Sequence, residues 1–207
     1  MVKQERALRT RRALVAAAAT EFDRDGYEGT SLSRISRAAG ISMGALTFHF
    51  QAKSELAEAV EEAGQSVTRA ALDKVTATAD PPLHQVAALM TEVILLVEKS
   101  PEVRAAVRLE RERPGRTGWT ALWLPVAHLL LRHAHGNGQL RAEARPDDVT
   151  TLVRHLVAGA VTHLRHGDTA ATDDFASLLS RNWQLVLAGI ATSEAGAAVR
   201  GRAPSLP

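Results

Sequence analysis

Apolar residues in this chain return every three or four positions, the spacing of one helix face, and no stretch alternates as a half-buried strand does. The pattern is clearest late in the chain. Val149, Leu152, Val153, Leu156, Val157, Ala160, Val161 and Leu164 hold one face over about four turns. Phe175, Leu178, Leu179, Asn182, Trp183, Val186, Leu187 and Ile190 repeat it. A polar stretch, 167–173, joins the two into a helical hairpin. Paired with a copy of itself, that hairpin makes a four-helix interface, with Leu152, Leu156, Leu179, Trp183 and Val186 as candidate contacts. Turned inward, both stripes face the chain's own core, and periodicity fits either arrangement.

Upstream, the first helix is predicted from Gln4 to Asp25, with Leu8, Val15, Ala18, Ala19 and Phe22 on its apolar side and Gly26 as its stop. Thr30 or Ser31 can cap a short second helix carrying Leu32, Ile35 and Ala38-Ala39, which Gly40 ends. Ser42 caps a very short third through Leu46 and Phe48. A fourth runs from Lys53 to Ala77, before the break at Asp80-Pro81-Pro82. A fifth covers Leu83–Lys99, and Ser100-Pro101 opens a sixth to Glu112. The seventh covers Trp119–His135, with Pro125 predicting a kink or a late start. The fold class is all-α with about nine helices. Residues 1–52 form a three-helix helix-turn-helix domain, and 53–192 a helical bundle for ligand binding and dimerisation. Residues 193–207, small, polar and proline-containing, are expected to be disordered.

Composition narrows the function. Apolar residues are 45% and aromatics only 4%, so Ala, Leu and Val build the core. There is no cysteine, which excludes disulfides, thiolate metal sites and cysteine nucleophiles. The charged stretch Met1 to Arg12 does not resemble a secretory leader, and no run of about 18 apolar residues exists. A cytoplasmic protein with no membrane partner is expected. Charge is uneven: residues 1–53 hold nine Lys/Arg against five Asp/Glu, a net of +4, while the rest is net −2. A basic N-terminal quarter suits a polyanion, or is a solvated face with no partner.

Residues 30–53, TSLSRISRAAGISMGALTFHFQAK, read as helix, glycine-containing turn and second short helix. That geometry presents a recognition helix to the major groove of double-stranded DNA. Ile35, Ala39, Ile41, Leu46, Phe48 and Phe50 are expected to pack the pair against the first helix. The small Ser42, Gly44 and Ala45 let the third helix approach the duplex. Thr30, Ser31, Thr47, His49 and Lys53 can donate to phosphates, and Arg6, Arg9 and Arg12 can reach flanking ones. Ser42, Met43 and Thr47 are better placed for base edges and the thymine methyl.

Gly26-Tyr27, Thr30, Ile35, Ala38-Ala39-Gly40, Ser42, Gly44, Leu46, Phe48-His49-Phe50, Lys53 and Leu56, at fixed spacing, resemble the TetR family of one-component repressors. The resemblance implies a homodimer on a palindromic operator, released by a small-molecule effector, and no enzymatic activity. Thr47 departs from it, standing where such proteins usually carry tyrosine. The segment 101–109, PEVRAAVRL, and Gly44-Ala45-Leu46 with Phe48-His49-Phe50 are similar to the γ-butyrolactone receptor branch. In that branch a tryptophan on the seventh helix lines the ligand pocket, which points to Trp123, with Trp119 one turn earlier. An indole offers a flat apolar wall and one N–H donor, suited to a lipophilic molecule with a lactone or ketone oxygen. Val93, Val97, Val107, Leu156 and Ala160 are the other candidate lining residues. The high isoelectric point, about 9.4, resembles the pseudo-receptors, which answer to antibiotics or their intermediates. A regulator without a ligand is the alternative.

Metal and catalytic readings find little support. His133 and His135, two apart on a helix, point in nearly opposite directions. His163 and His166 could share an ion, but nothing completes the site. No P-loop, dinucleotide fingerprint or nucleophile elbow is present. No cofactor, metal site or catalytic residue is therefore expected.

Overall fold

The computed structural model describes residues 2–200 apart from 116–117 and 167–174, with side chains for 4–115, 118–165 and 180–196. The described chain contains ten helices, one more than the pattern predicts. They are α1 (Val2–Gly29), α2 (Leu32–Ala38), α3 (Met43–His49), α4 (Lys53–Thr76) and α5 (Pro82–Lys99). After these come α6 (Pro101–Glu112), α7 (Thr120–Gly136), α8 (Pro146–His166), α9 (Phe175–Ile190) and α10 (Ser193–Arg200).

Serines cap three of the helices, two of them where the sequence predicts a cap. Ser31, not Thr30, accepts from the Arg34 N–H to start α2, Ser42 accepts from Ala45 to start α3, and Ser100 from Val103 to start α6. Gly26 interrupts α1 at φ 77° and ψ −179°, a backbone region essentially reserved for glycine. α7 starts one residue late, at Thr120, and runs through Pro125.

Two compact units emerge: residues 1–68 with 99–121, and 69–98 with 122–207. The first boundary therefore falls inside α4 rather than at 52/53, and α6 joins the N-terminal helices. The cause is apolar. Ala105 and Leu109 of α6 and Leu56, Ala57 and Val60 of α4 share one core with Leu14, Ala18, Phe22, Ile35, Leu46 and Phe50. Polar contacts add to it. Arg104 Nε donates to Asp23 at 2.6 Å, Arg108 Nη1 donates to the Asp23 and Arg24 carbonyls, and Glu112 accepts from the Tyr27 N–H at 2.6 Å. These three residues, four apart on one face of α6, grip α1 where Gly26 breaks it.

The second unit buries Leu83, Val86, Leu89, Met90, Val93, Ile94 and Val97 of α5, Trp123 and Leu131 of α7, Val153 and Val157 of α8, and Trp183 and Leu187 of α9. The loop after α7 is tied down: Gln139 accepts from the Leu83 N–H, and Arg141 Nε donates to the Ala191 carbonyl that ends α9. Residues 193–200, expected to be disordered, form α10. Its Ala-rich composition favours helix, and Gly196 N–H bonds the Thr192 carbonyl. Residues 201–207 lie outside the described chain. No described helix is long and apolar enough to cross a membrane.

Candidate nucleic-acid interface

α3 has seven residues and two faces. Leu46 is buried, and Phe50, just past the helix, is buried beneath it; Met43, Gly44, Thr47 and Phe48 face outward, next to the exposed cap Ser42. Phe48 corrects an expectation. Taken as core for its apolarity, it is 82% exposed, because it sits two residues from both Leu46 and Phe50, about 200° around the helix. Its ring meets His49 edge-on at 5.3 Å, and His49 itself is half-buried. The exposed face therefore mixes a phenyl, a thioether, a methyl-bearing threonine and a bare glycine. Such a surface matches thymine methyls and the deoxyribose wall rather than a hydrogen-bonding code. The Thr47 hydroxyl donates back to the Met43 carbonyl at 3.0 Å.

Two of the predicted phosphate donors are engaged elsewhere. Thr30 is buried, its hydroxyl donating to the Glu21 carbonyl at 3.1 Å, so it fastens the end of α1 instead of facing a partner. Lys53 Nζ donates to the carbonyls of Tyr27 and Thr30 at 2.8 and 3.2 Å and stands 4.3 Å from the centre of the Tyr27 ring. It clamps the start of α4 to the α1–α2 turn. A second cation, Arg113, lies 5.0 Å from the centre of the same ring and pairs with Glu61. Ser31 remains exposed; its oxygen accepts from the helix N–H and its own proton is left to donate.

Basic charge in this unit is similarly divided. Arg34 bridges Glu21 and Asp25, each at 2.7 Å, and Arg24 pairs with both acids. The hydrogen bond from Arg24, with the nearby guanidinium charges of Arg34 and Arg108, holds the Asp25 carboxyl below the usual carboxylate range. The same bond raises Arg24. Arg6, Arg9, Arg11, Arg12 and Arg37 are exposed, and none makes an ion pair among the described residues. Arg11, passed over in the sequence, lies 5.0 Å above the Phe50 ring.

The predicted ligand residues divide between the units. Val93, Val97, Trp123 and Ala160 are buried in the second, with Leu156 half-buried; Val107 and Trp119 are buried in the first. The Trp119 N–H is already spent on Thr68 Oγ1 at 2.9 Å. Beside it lies a small, partly open cleft with an accessible volume of about 10 Å³, lined by Glu61, Gln65, Ala106, Glu110, Arg113 and Gly118. Its exposed wall is mostly apolar although four of the lining side chains carry polar ends, and it is too small for the lipophilic molecule expected around Trp119. Among the predicted dimer contacts, Leu152 is 37% exposed and Leu156 and Val186 are half-buried. Trp183 is a correction: only 3% exposed, it belongs to the core of its own unit. The Leu179 side chain lies outside the described residues. Leu185, off the apolar stripe and unremarked in the sequence, is 74% exposed. No three metal-ligating side chains gather among the described residues.

Residues 14–60 match the family model of bacterial regulatory proteins, TetR family. The A-factor receptor protein of Streptomyces griseus is 48% identical over 60 residues, which span 29% of this chain and 22% of that protein's length. A solved γ-butyrolactone receptor, described as ArpA-like, superposes with a TM-score of 0.76 at 26% identity, over 95% of this chain and 96% of that one. The TetR family protein CprB of Streptomyces coelicolor, solved with its biological operator sequence, superposes with a TM-score of 0.77 at 29% identity, over 96% of each chain. These proteins are regulators and receptors, not enzymes. Residues 14–60 thus resemble the reading head of TetR-family regulators, and the fold over nearly the whole chain is similar to that of a γ-butyrolactone receptor.

Proposed function

We propose that the chain is a transcriptional repressor that binds a palindromic operator as a homodimer and is released by a small lipophilic molecule. The observation that carries this reading is the outward face of α3. Ser42, Met43, Gly44, Thr47 and Phe48 stand clear of a helix-turn-helix whose two helices are both capped, with arginines in the same unit that make no ion pair among the described residues. The operator-bound relative supports the DNA partner. Exposed Leu152 on α8 and Leu185 on α9 support a second copy as the dimer partner, since large leucines left in water gain by mutual burial.

A γ-butyrolactone or an antibiotic-like molecule is the effector class, with Trp123 as its contact. Arg104, Arg108 and Glu112 supply a route for release: because they hold the end of α1 directly, any shift of α6 moves the reading head with it. A hundredfold loss of operator affinity needs the ligand to favour the released state by roughly 2.7 kcal/mol. The test adds a γ-butyrolactone to a preformed complex with labelled DNA from the flanks of the chain's own gene. Release by the lactone that Trp123→Ala abolishes, with DNA affinity kept, supports the reading. A complex indifferent to butyrolactones moves the effector to another class, and a Trp123→Ala variant that still responds clears that tryptophan.

A further inference from the structure

We infer that Arg11 grips the DNA phosphate backbone beside the recognition helix, held ready by the ring of Phe50; the inference rests on the DNA-binding reading above. It begins with which cations are available. Lys53 is held by two carbonyls, and Arg24 and Arg34 by Glu21 and Asp25. Among the described side chains of residues 4–53, Arg6, Arg9, Arg11, Arg12 and Arg37 make no ion pair.

The register of α1 separates the four on that helix. Arg11 lies three and four residues before Leu14 and Val15 and seven before Ala18, so it continues the buried stripe past the end of the core. Arg9 and Arg12 lead instead into Ala13, Ala16 and Thr20, all exposed, and Arg6 lies one turn before Arg9. Arg11 is thus the cation that the helix turns toward α3. Its guanidinium reaches the Phe50 ring, and Phe50 closes α3 through its N–H to the Leu46 carbonyl at 2.8 Å.

Stacking matters because of what it leaves over. A guanidinium lying on an aromatic face is restrained in position, yet all five N–H donors along its edge stay available for phosphate oxygens. Arg11 makes no ion pair among the described residues to compete for them. The competing role is a cover that shields Phe50 from water without touching DNA. The two roles differ in salt dependence, since only a phosphate contact releases counterions on binding.

The experiment measures duplex affinity between about 50 and 200 mM salt for wild type, Arg11→Ala, Arg11→Lys and Arg132→Ala. The last removes one exposed charge from α7, in the other unit. Arg11→Ala should lower the slope of log K against log salt by about 0.9 for each phosphate lost, about 1.8 for a dimer. Arg11→Lys should keep the slope while binding severalfold more weakly, and Arg132→Ala should match wild type. An Arg11→Ala slope equal to wild type, with binding intact, overturns the inference and leaves the DNA-binding reading standing. Wild type that binds no duplex at the lowest salt overturns both.

Discussion

Replacing Gly26 by alanine should loosen the joint between α1 and α6 by an amount set by the backbone there and by the groups a Cβ would meet. Gly26 sits at φ 77° and ψ −179°, where a side chain strains the backbone by about 1–3 kcal/mol. A Cβ there would lie 2.5 Å from Glu112 Oε1 and 2.7 Å from Arg108 Nη2. Both groups are engaged, the carboxylate accepting from Tyr27 N–H at 2.6 Å and from Arg108 Nε at 2.7 Å. Pushing the carboxylate aside forfeits a charge-assisted bond to the backbone, worth about 1 kcal/mol at this partly exposed site. The sum is about 2–4 kcal/mol, or a urea midpoint lower by about 1–2 M for a slope near 2 kcal/mol per M. Unfolding followed by far-ultraviolet circular dichroism measures it. The double variant Gly26→Ala/Glu112→Ala separates the parts, because it removes the clash while keeping the backbone strain. Coupling of about 1 kcal/mol between the two sites is expected. A midpoint for Gly26→Ala within about 0.2 M of wild type would refute the reasoning.

Lys53→Met should cost about 2 kcal/mol by removing two donated hydrogen bonds and the contact with the Tyr27 ring, while the salt slope of DNA binding stays put. Unchanged stability with a shallower slope would return Lys53 to a phosphate. Asp25→Asn should flatten the acid limb of the stability profile. The folded carboxyl is held below its ordinary value by Arg24 and its neighbours, so its contribution is present above about pH 4 and lost as pH falls through the lowered value. Denaturation midpoints at pH 7 and pH 3 that change equally in wild type and variant would contradict this. Trp183→Phe should cost under about 1 kcal/mol, because the buried indole N–H has no hydrogen-bond partner among the described residues to lose. A loss above about 3 kcal/mol would mean that the N–H is used.

Helices and their caps were legible in the sequence because each is decided locally. Ser31 and Ser42 cap where an oxygen three residues ahead of a helical N–H is all that is required. Side-chain direction on short helices was not. Phe48 reads as core by composition, yet seven residues give too few apolar positions to define a face, and Leu46 and Phe50 take the inside. Lys53 and Thr30 match a phosphate-donating pattern, but their partners are carbonyls of the α1–α2 turn, set by tertiary proximity that spacing does not encode. The same limit applies to α6. Nothing local shows that Arg108, Glu112 and Arg113 lock onto α1 and α4 across 52 to 85 residues of sequence. Trp183 shows the converse: a perfect stripe gives a face but not what covers it.

The most direct test of the account is a titration of labelled duplex from the flanks of the chain's own gene with purified protein, repeated as salt is raised from about 50 mM. The account predicts saturable binding with two protomers on a symmetric site, weakening steeply with salt. Absence of binding at the lowest salt, or binding that salt does not weaken, would contradict it.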